Sequence, residues 1–127
     1  MSVPFLSPEW AQELTSKLND DEDFRKAIAG QSASIQQVIS RDGGETRYWI
    51  KIADDAIDMG VGDLDGADAT ITQSYETAVK LATGELSAVT AFMTGKIKIG
   101  GNMGMLLGLQ GAFSRLPSAM ASMDVAY

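Results

Sequence analysis

An α+β fold is what this sequence predicts, and three observations carry the expectation. The N-terminal segment places apolar residues at helical spacing, and the central segment alternates apolar and polar residues with a period of two. The C-terminal segment returns to helical spacing around one late alternating run. A length of 127 residues suits one domain over residues 1–127. Such a chain buries roughly two-thirds of its unfolded surface without covalent staples.

Each element has its own signal. Ser7-Pro8-Glu9 reads as an N-cap, a proline in the first turn and an early acid. Trp10, Leu14 and Leu18 then form an apolar stripe to about Asn19. The acidic run Asp20–Asp23 suits the positive end of a second short helix through Ile28. From Ala33 the period becomes two: Ala33, Ile35, Gln37 and Ile39 alternate with Ser34, Gln36, Val38 and Ser40. After Arg41-Asp42-Gly43-Gly44, Tyr48, Ile50 and Ile52 alternate with Arg47, Trp49 and Lys51, which predicts a hairpin. Two further strands are expected over 56–61 and 67–72, separated by an acidic, glycine-bearing loop.

Ser74 reads as the N-cap of a helix running to Thr83 and stopped by Gly84. Leu86, Val89 and Met93, with Ala88 and Phe92, make the apolar side of the next helix, which Gly95 ends. A strand over 96–99 follows, and Gly100-Gly101 leads into Asn102, another N-cap. The helix after it is expected to run on past Met105, Leu106, Leu109, Ala112 and Phe113 to Leu116. Pro117 is expected to end or kink it, and 119–127 to be a short helical or frayed tail.

Composition excludes much chemistry. There is no cysteine, hence no disulfide framework, zinc–thiolate site or thiol nucleophile. There is no histidine, the commonest general base and transition-metal ligand. A net charge of −7, from 17 acids against 10 bases, argues against a nucleic-acid partner and against strong docking on anionic membranes. The opening MSVPFLSPEW lacks the basic and apolar regions of a secretory signal, and no run of about 18 apolar residues offers a membrane span. The closing DVAY is not a peroxisomal address. A cytoplasmic location is expected, with membrane contact at most transient.

Spacing disposes of several tempting motifs. Fitting Gly66 to the turn of a calcium loop puts Val61 first and Thr72 last, where carboxylates are needed. A dinucleotide fingerprint from Gly60 requires glycine at Asp65, and a phosphate loop ending at Gly95-Lys96 requires glycine at Thr90 and a hydroxyl at Ile97. Asp54, Asp55 and Asp58 read as solvated turn formers rather than an acid–base pair. Neither a catalytic residue, a metal nor a cofactor is expected.

The informative stretch is Gly95–Phe113, GKIKIGGNMGMLLGLQGAF. Five of the seven methionines fall at or after Met93, and flexible, polarizable methionines can line a wall that adapts to ligands of varied shape. Gly104, Gly108 and Gly111 sit in the same expected helix, each costing about 1 kcal/mol relative to alanine. Ordinary core filling and close helix packing explain the same pattern. Ala67-Asp68-Ala69-Thr70-Ile71-Thr72, Thr83-Gly84, Ala91-Phe92, Gly95-Lys96-Ile97-Lys98-Ile99 and Gly101-Asn102-Met103-Gly104 resemble, in order and near-register, motifs of the sterol carrier protein 2 family. The clear match covers about residues 67–110, with a looser one back to about residue 33.

That resemblance implies a roughly five-stranded, mostly antiparallel sheet covered on one face by helices, with an apolar tunnel between them. It implies non-catalytic binding and transfer of a fatty acid, fatty acyl-CoA or sterol. The implied lining is Tyr48 and Ile50 from the sheet, Val89, Phe92 and Met93 from one helix, and Met103, Met105, Leu106, Leu109 and Phe113 from the next. Asp68 and Asn102 match motif positions and are read as structural. The polar head of the lipid would stay near Lys96, Lys98 or Arg115, although these charges are more simply solvated. The glycine-bearing helix would act as a gate. Two other readings stay open: a module serving a partner enzyme, and an interaction protein whose C-terminal apolar face is covered by a second copy in a homodimer.

Overall fold

In the computed structural model, which describes residues 2–41 and 43–126 apart from the side chains of Ala88, Val89, Gln110 and Pro117, fourteen short elements follow one another. They are β1 (Val3–Pro4), α1 (Pro8–Asp20), α2 (Glu22–Ile28), β2 (Ala33–Arg41), β3 (Gly44–Ala53), β4 (Ala56–Val61) and β5 (Ala69–Ser74). Then come α3 (Tyr75–Thr83), α4 (Ala88–Met93), β6 (Ile97–Gly101), α5 (Met103–Gly108), α6 (Gln110–Phe113), α7 (Leu116–Ala121) and β7 (Val125–Ala126). The α+β expectation holds. Five strands form one sheet in the order β4-β3-β2-β5-β6, antiparallel except where β2 meets β5.

Register decides which face is covered. Ala33, Ile52 and Ile57 lie in one cross-strand row, and Ile35, Ile50, Met59 and Ala69 in the next. All of them belong to the core that Trp10, Leu14, Leu18, Phe24, Leu109 and Met120 complete from the helices. Partners within a row share a face, so the helices cover one face. The opposite face carries Ser34, Gln36, Arg47, Lys51, Thr72 and Lys98, with the Trp49 ring laid where a side chain on Gly60 would fall.

The helix ends follow the expected caps. Ser7 Oγ accepts from the Trp10 amide at 3.2 Å, Ser74 Oγ from Thr77 at 3.2 Å, and Asn102 Oδ1 from Met105 at 3.1 Å. Gly84 stops α3 in the left-handed region, at φ 81°. Asp21 Oδ1 caps α2 through the amides of Asp23 and Phe24, so part of the acidic run is a cap.

Four expectations need correction. The fourth strand begins at Ala69 rather than 67, because Asp68 is bound elsewhere: its carboxylate accepts from the Ser34 amide and hydroxyl, both at 3.1 Å. The helix before β6 starts only at Ala88, with Ser87 as its cap and Leu86 outside it. The long helix expected from Asn102 to Leu116 is in fact α5 and α6 followed by α7, with Leu109 leaving α5 in a tight turn to Leu106. Three glycines remove the propensity that would hold it in one piece, and Pro117 opens α7 instead of ending a helix. Finally, the tail is helical only to Ala121, and Val125–Ala126 then form β7, which pairs in parallel with β1, a strand the sequence did not announce.

Arg115 is the second tie between the chain's two ends. Its guanidinium meets Asp21 at 3.3 Å and Asp23 at 3.5 Å. Desolvation raises the Asp21 pKa, but the Phe24 amide, Arg115 and the Asp23 amide together hold it below the ordinary 3.8. A carboxyl depressed in the folded state stabilises above its unfolded pKa and loses that contribution as pH falls through the folded one. Asp21→Asn keeps the cap but not the charge, so it should melt below the wild type at neutral pH. The gap should close below about pH 3.8 in thermal melts across an acid series.

Candidate functional site

Coverage of the sheet is uneven. On the helix-facing side of β2, β3 and β4, Ile35, Ile39, Ile50, Ile52 and Ile57 are at most 3% exposed. Across β5 and β6, Ile71 and Ile99 are directly paired and only half-buried, in the same cross-strand row as Gln37 and the half-buried Tyr48. The elements expected to cover this half are α4 and α5, of six residues each. Phe92 (42% exposed), Met93 (79%), Met103 (37%) and Leu107 (65%) on these helices face outward. Large apolar side chains so exposed on two helices that flank one strand mark a surface that ordinarily meets another apolar body.

The residues expected to line a site therefore fall into groups. Phe92, Met93 and Met103 are exposed, while Met105 and Phe113 are half-buried against the core. Ile50, Leu106 and Leu109 are core residues, Leu109 completely so. The Tyr48 ring meets Trp10 edge-on at 5.2 Å, and Trp10 meets Phe5 at 5.2 Å, so Tyr48 ties α1 to the sheet. Burial pushes its phenol pKa up, which keeps the hydroxyl neutral. The Val89 side chain lies outside the described residues. Sequence reasoning missed Leu107, Ile71 and Ile99, although Ile71 and Ile99 stood within the quoted motifs.

Polar groups near this face have settled roles. Asn102 caps α5, and its amide donates to the Asp68 carbonyl at 2.9 Å, so both motif residues are structural. Arg115 is engaged with Asp21 and Asp23, so it is not free to meet a ligand's head group as the sequence suggested. Lys96 and Lys98 are exposed at β6. Among the described residues, no cluster of three or more acids converges as a metal site, and no helix is long and apolar enough to cross a membrane.

Two open concavities are present. One, of about 360 Å³, lies between α1 and β4 beside Ala11, Thr15, Met59 and Val61, and the other, of about 400 Å³, beside Lys17, Asp21, Ser118 and Ser122. Neither is the enclosed apolar tunnel expected between sheet and helices. Where that tunnel was expected, the described residues form a half-covered apolar face.

A five-stranded sheet covered by helices on one face, with apolar residues left exposed on its late helices, defines a class of small α+β domains. The chain belongs to the SCP-2 sterol transfer family, whose model matches residues 11–114. It is 35% identical over 101 residues to sterol carrier protein 2 of Gallus gallus, covering 78% of this chain and 18% of that protein. It is 40% identical over 68 residues to peroxisomal multifunctional enzyme A of Dictyostelium discoideum, covering 51% of this chain and 15% of that one. The chain thus spans less than a fifth of the length of these relatives. A crystal structure of sterol carrier protein 2 superposes with a TM-score of 0.79 at 21% identity, over 94% of this chain and 98% of the other.

Two leucines only two positions apart should respond differently. Leu109→Ala empties a fully buried site and should cost about 3 kcal/mol, read from urea unfolding. Leu107→Ala, at an exposed position, should stay within about 0.5 kcal/mol of wild type. Equal losses would mean that α5 packs differently from the description above.

Proposed function

We propose that this chain, as one domain over residues 1–127, binds an apolar lipid and passes it on without chemical change. The lipid would be a fatty acid, fatty acyl-CoA or sterol. The observation that carries this reading is the half-buried Ile71–Ile99 pair of β5 and β6 together with the exposed apolar residues of α4 and α5, in a chain of this family. Met93, Met103, Met105 and Phe92 meet the hydrocarbon from the helices, while Ile71 and Ile99 meet it from the sheet. Lys96, exposed just before β6, is the cation left to receive a charged head, since Lys98 lies on the opposite face of the sheet. The lack of histidine and cysteine supports carriage over catalysis.

Burial of hydrocarbon is a sufficient driving force. Each buried methylene is worth about 0.8 kcal/mol, so an acyl chain of about fifteen carbons gains on the order of 10 kcal/mol before ordering costs. The force is non-directional, so chain length and available volume select ligands more than polar contacts do. A second reading, a lipid-binding module serving a partner enzyme, is favoured by the small share of the relatives that the chain spans. There the same apolar face would be covered by the partner, and the isolated chain would carry no lipid.

Organic extraction of the purified protein followed by mass spectrometry should release lipid in near-equimolar amount. Repeated absence of lipid, together with failure to bind an added fluorescent fatty acid, would remove the carrier reading. The gate has its own test. A Cβ at Gly104 would meet only Asn102 Oδ1 at 3.6 Å, and one at Gly108 nothing within 4 Å. Alanine at both should therefore strengthen α5 by about 1 kcal/mol each and slow lipid exchange several-fold in stopped-flow transfer. Unchanged exchange in the more stable variant would show that α5 does not move.

A further inference from the structure

Three polar side-chain atoms are buried without a hydrogen-bond partner among the described residues: Trp10 Nε1, Thr15 Oγ1 and Gln73 Oε1. Trp10 sits edge-on in the aromatic cluster, and Thr15 lines the concavity beside β4. Gln73 alone of the three lies on the half-covered half of the sheet. It sits on β5 between Ile39 of β2 and Ile97 of β6, one row from Ile71 and Ile99. It is 7% exposed, as is Gln37, its diagonal neighbour on the same face, whose Oε1 accepts from Gln73 Nε2 at 3.0 Å.

A neighbouring glutamine shows what a structural role looks like here. Gln36 points to the other face, and its Oε1 accepts from the Leu64 amide at 2.6 Å. Its Nε2 donates to the Tyr48 carbonyl at 3.0 Å and the Gly62 carbonyl at 3.1 Å. Both ends of that amide are used, and it pins the loop between β4 and β5. Gln73 has its nitrogen used and its oxygen spare, amid isoleucines where methionine would pack as well. A buried acceptor left unpaired destabilises the fold unless something donates to it.

The geometry points to Gln73 Oε1, held in place by Gln37, as the contact for the hydroxyl of a lipid alcohol bound on the face of β5 and β6. This rests on the lipid-binding reading and narrows it to the chemistry of the polar end. An alcohol can donate to a fixed carbonyl oxygen. An ether of the same length cannot, and an ionised carboxylate brings a second acceptor and an unpaired charge into a buried place. Apolar surface supplies affinity, and Gln73 supplies the preference.

Binding of dodecanol, its methyl ether and dodecanoate at pH 8 can be compared by displacement of a fluorescent hydrocarbon probe from the full chain. The wild type should bind the alcohol about tenfold more tightly than either of the others. Gln73→Met should remove the advantage by weakening the alcohol alone. Three equal affinities in the wild type would overturn the assignment and leave the lipid reading standing, with a buried water as the partner of Gln73. Loss of alcohol and ether binding alike in a folded Gln73→Met protein would also overturn it. If none of the three displaces the probe, the lipid reading falls and this falls with it. The wild-type comparison decides the matter even if the variant does not fold.

Discussion

The parallel seam between β2 and β5 is the constraint on which the rest of the structure depends. Three antiparallel strands in sequence, β2, β3 and β4, make a meander that needs only tight turns. To reach β5 the chain must return across that meander and pair alongside β2, which a short turn cannot do. Asp68 fixes the landing point. Its carboxylate and amide bind Ser34, and its carbonyl accepts from the Asn102 amide, so one residue joins β2, β5 and the start of α5. Gly101 passes so close to the Asp68 carbonyl that any side chain there would collide with it. Gln36 holds the returning loop from the far face. With the seam set, β6 and the late helices have only one side on which to lie.

The seam also divides the molecule energetically. On the meander side, α1 and α2 bury Trp10, Leu14, Leu18, Phe24 and Ile28 to 2% exposure or less. Full burial of such side chains contributes roughly 1.5–3 kcal/mol each, so that half carries the larger share of the hydrophobic stabilisation. The terminal ties, β1 with β7 and Arg115 with Asp21 and Asp23, lie on that half as well. On the other side, α4 and α5 are too short to form alone in water, and several of their apolar residues find no cover. Burial is therefore denser on the meander side, although Leu106 and Leu109 join the core from the other, where Ile97 is buried too.

Most of the fold was legible because its signals are local. Ser7, Ser74 and Asn102 are capping side chains adjacent to the helices they start, and Gly84 needs only its own backbone to stop α3. The period-two runs made β2 and β3 readable for the same reason. What escaped was non-local. The pairing of Val3–Pro4 with Val125–Ala126 joins opposite ends of the chain, and two-residue strands carry no periodicity. The break at Leu109 arises where Gly104, Gly108 and Gly111 weaken the helix and Leu109, fully buried, turns back on Leu106. The implied site residues came from the family's motifs, which mark the turns and caps around the face more than the face itself. Hence Asn102 and Asp68 could be read as structural from sequence, whereas the burial of Leu109 and the exposure of Leu107 needed the backbone path.

An uncovered apolar face and an unpaired buried amide oxygen are costs of different kinds. Exposed Met93 and Leu107 lose hydrophobic stabilisation that grows with area and is indifferent to direction. Gln73 Oε1 lacks a single bond of defined direction. A protein partner or a second copy laid over α4 and α5 would answer the first cost, yet it would leave the Gln73 oxygen on β5 unpaired. On the proposed lipid-binding reading, a molecule carrying a donor at one end pairs that oxygen and adds apolar cover beside Ile71 and Ile99. On the same reading, α5, weakened by Gly104 and Gly108, is the element that would give way to admit it.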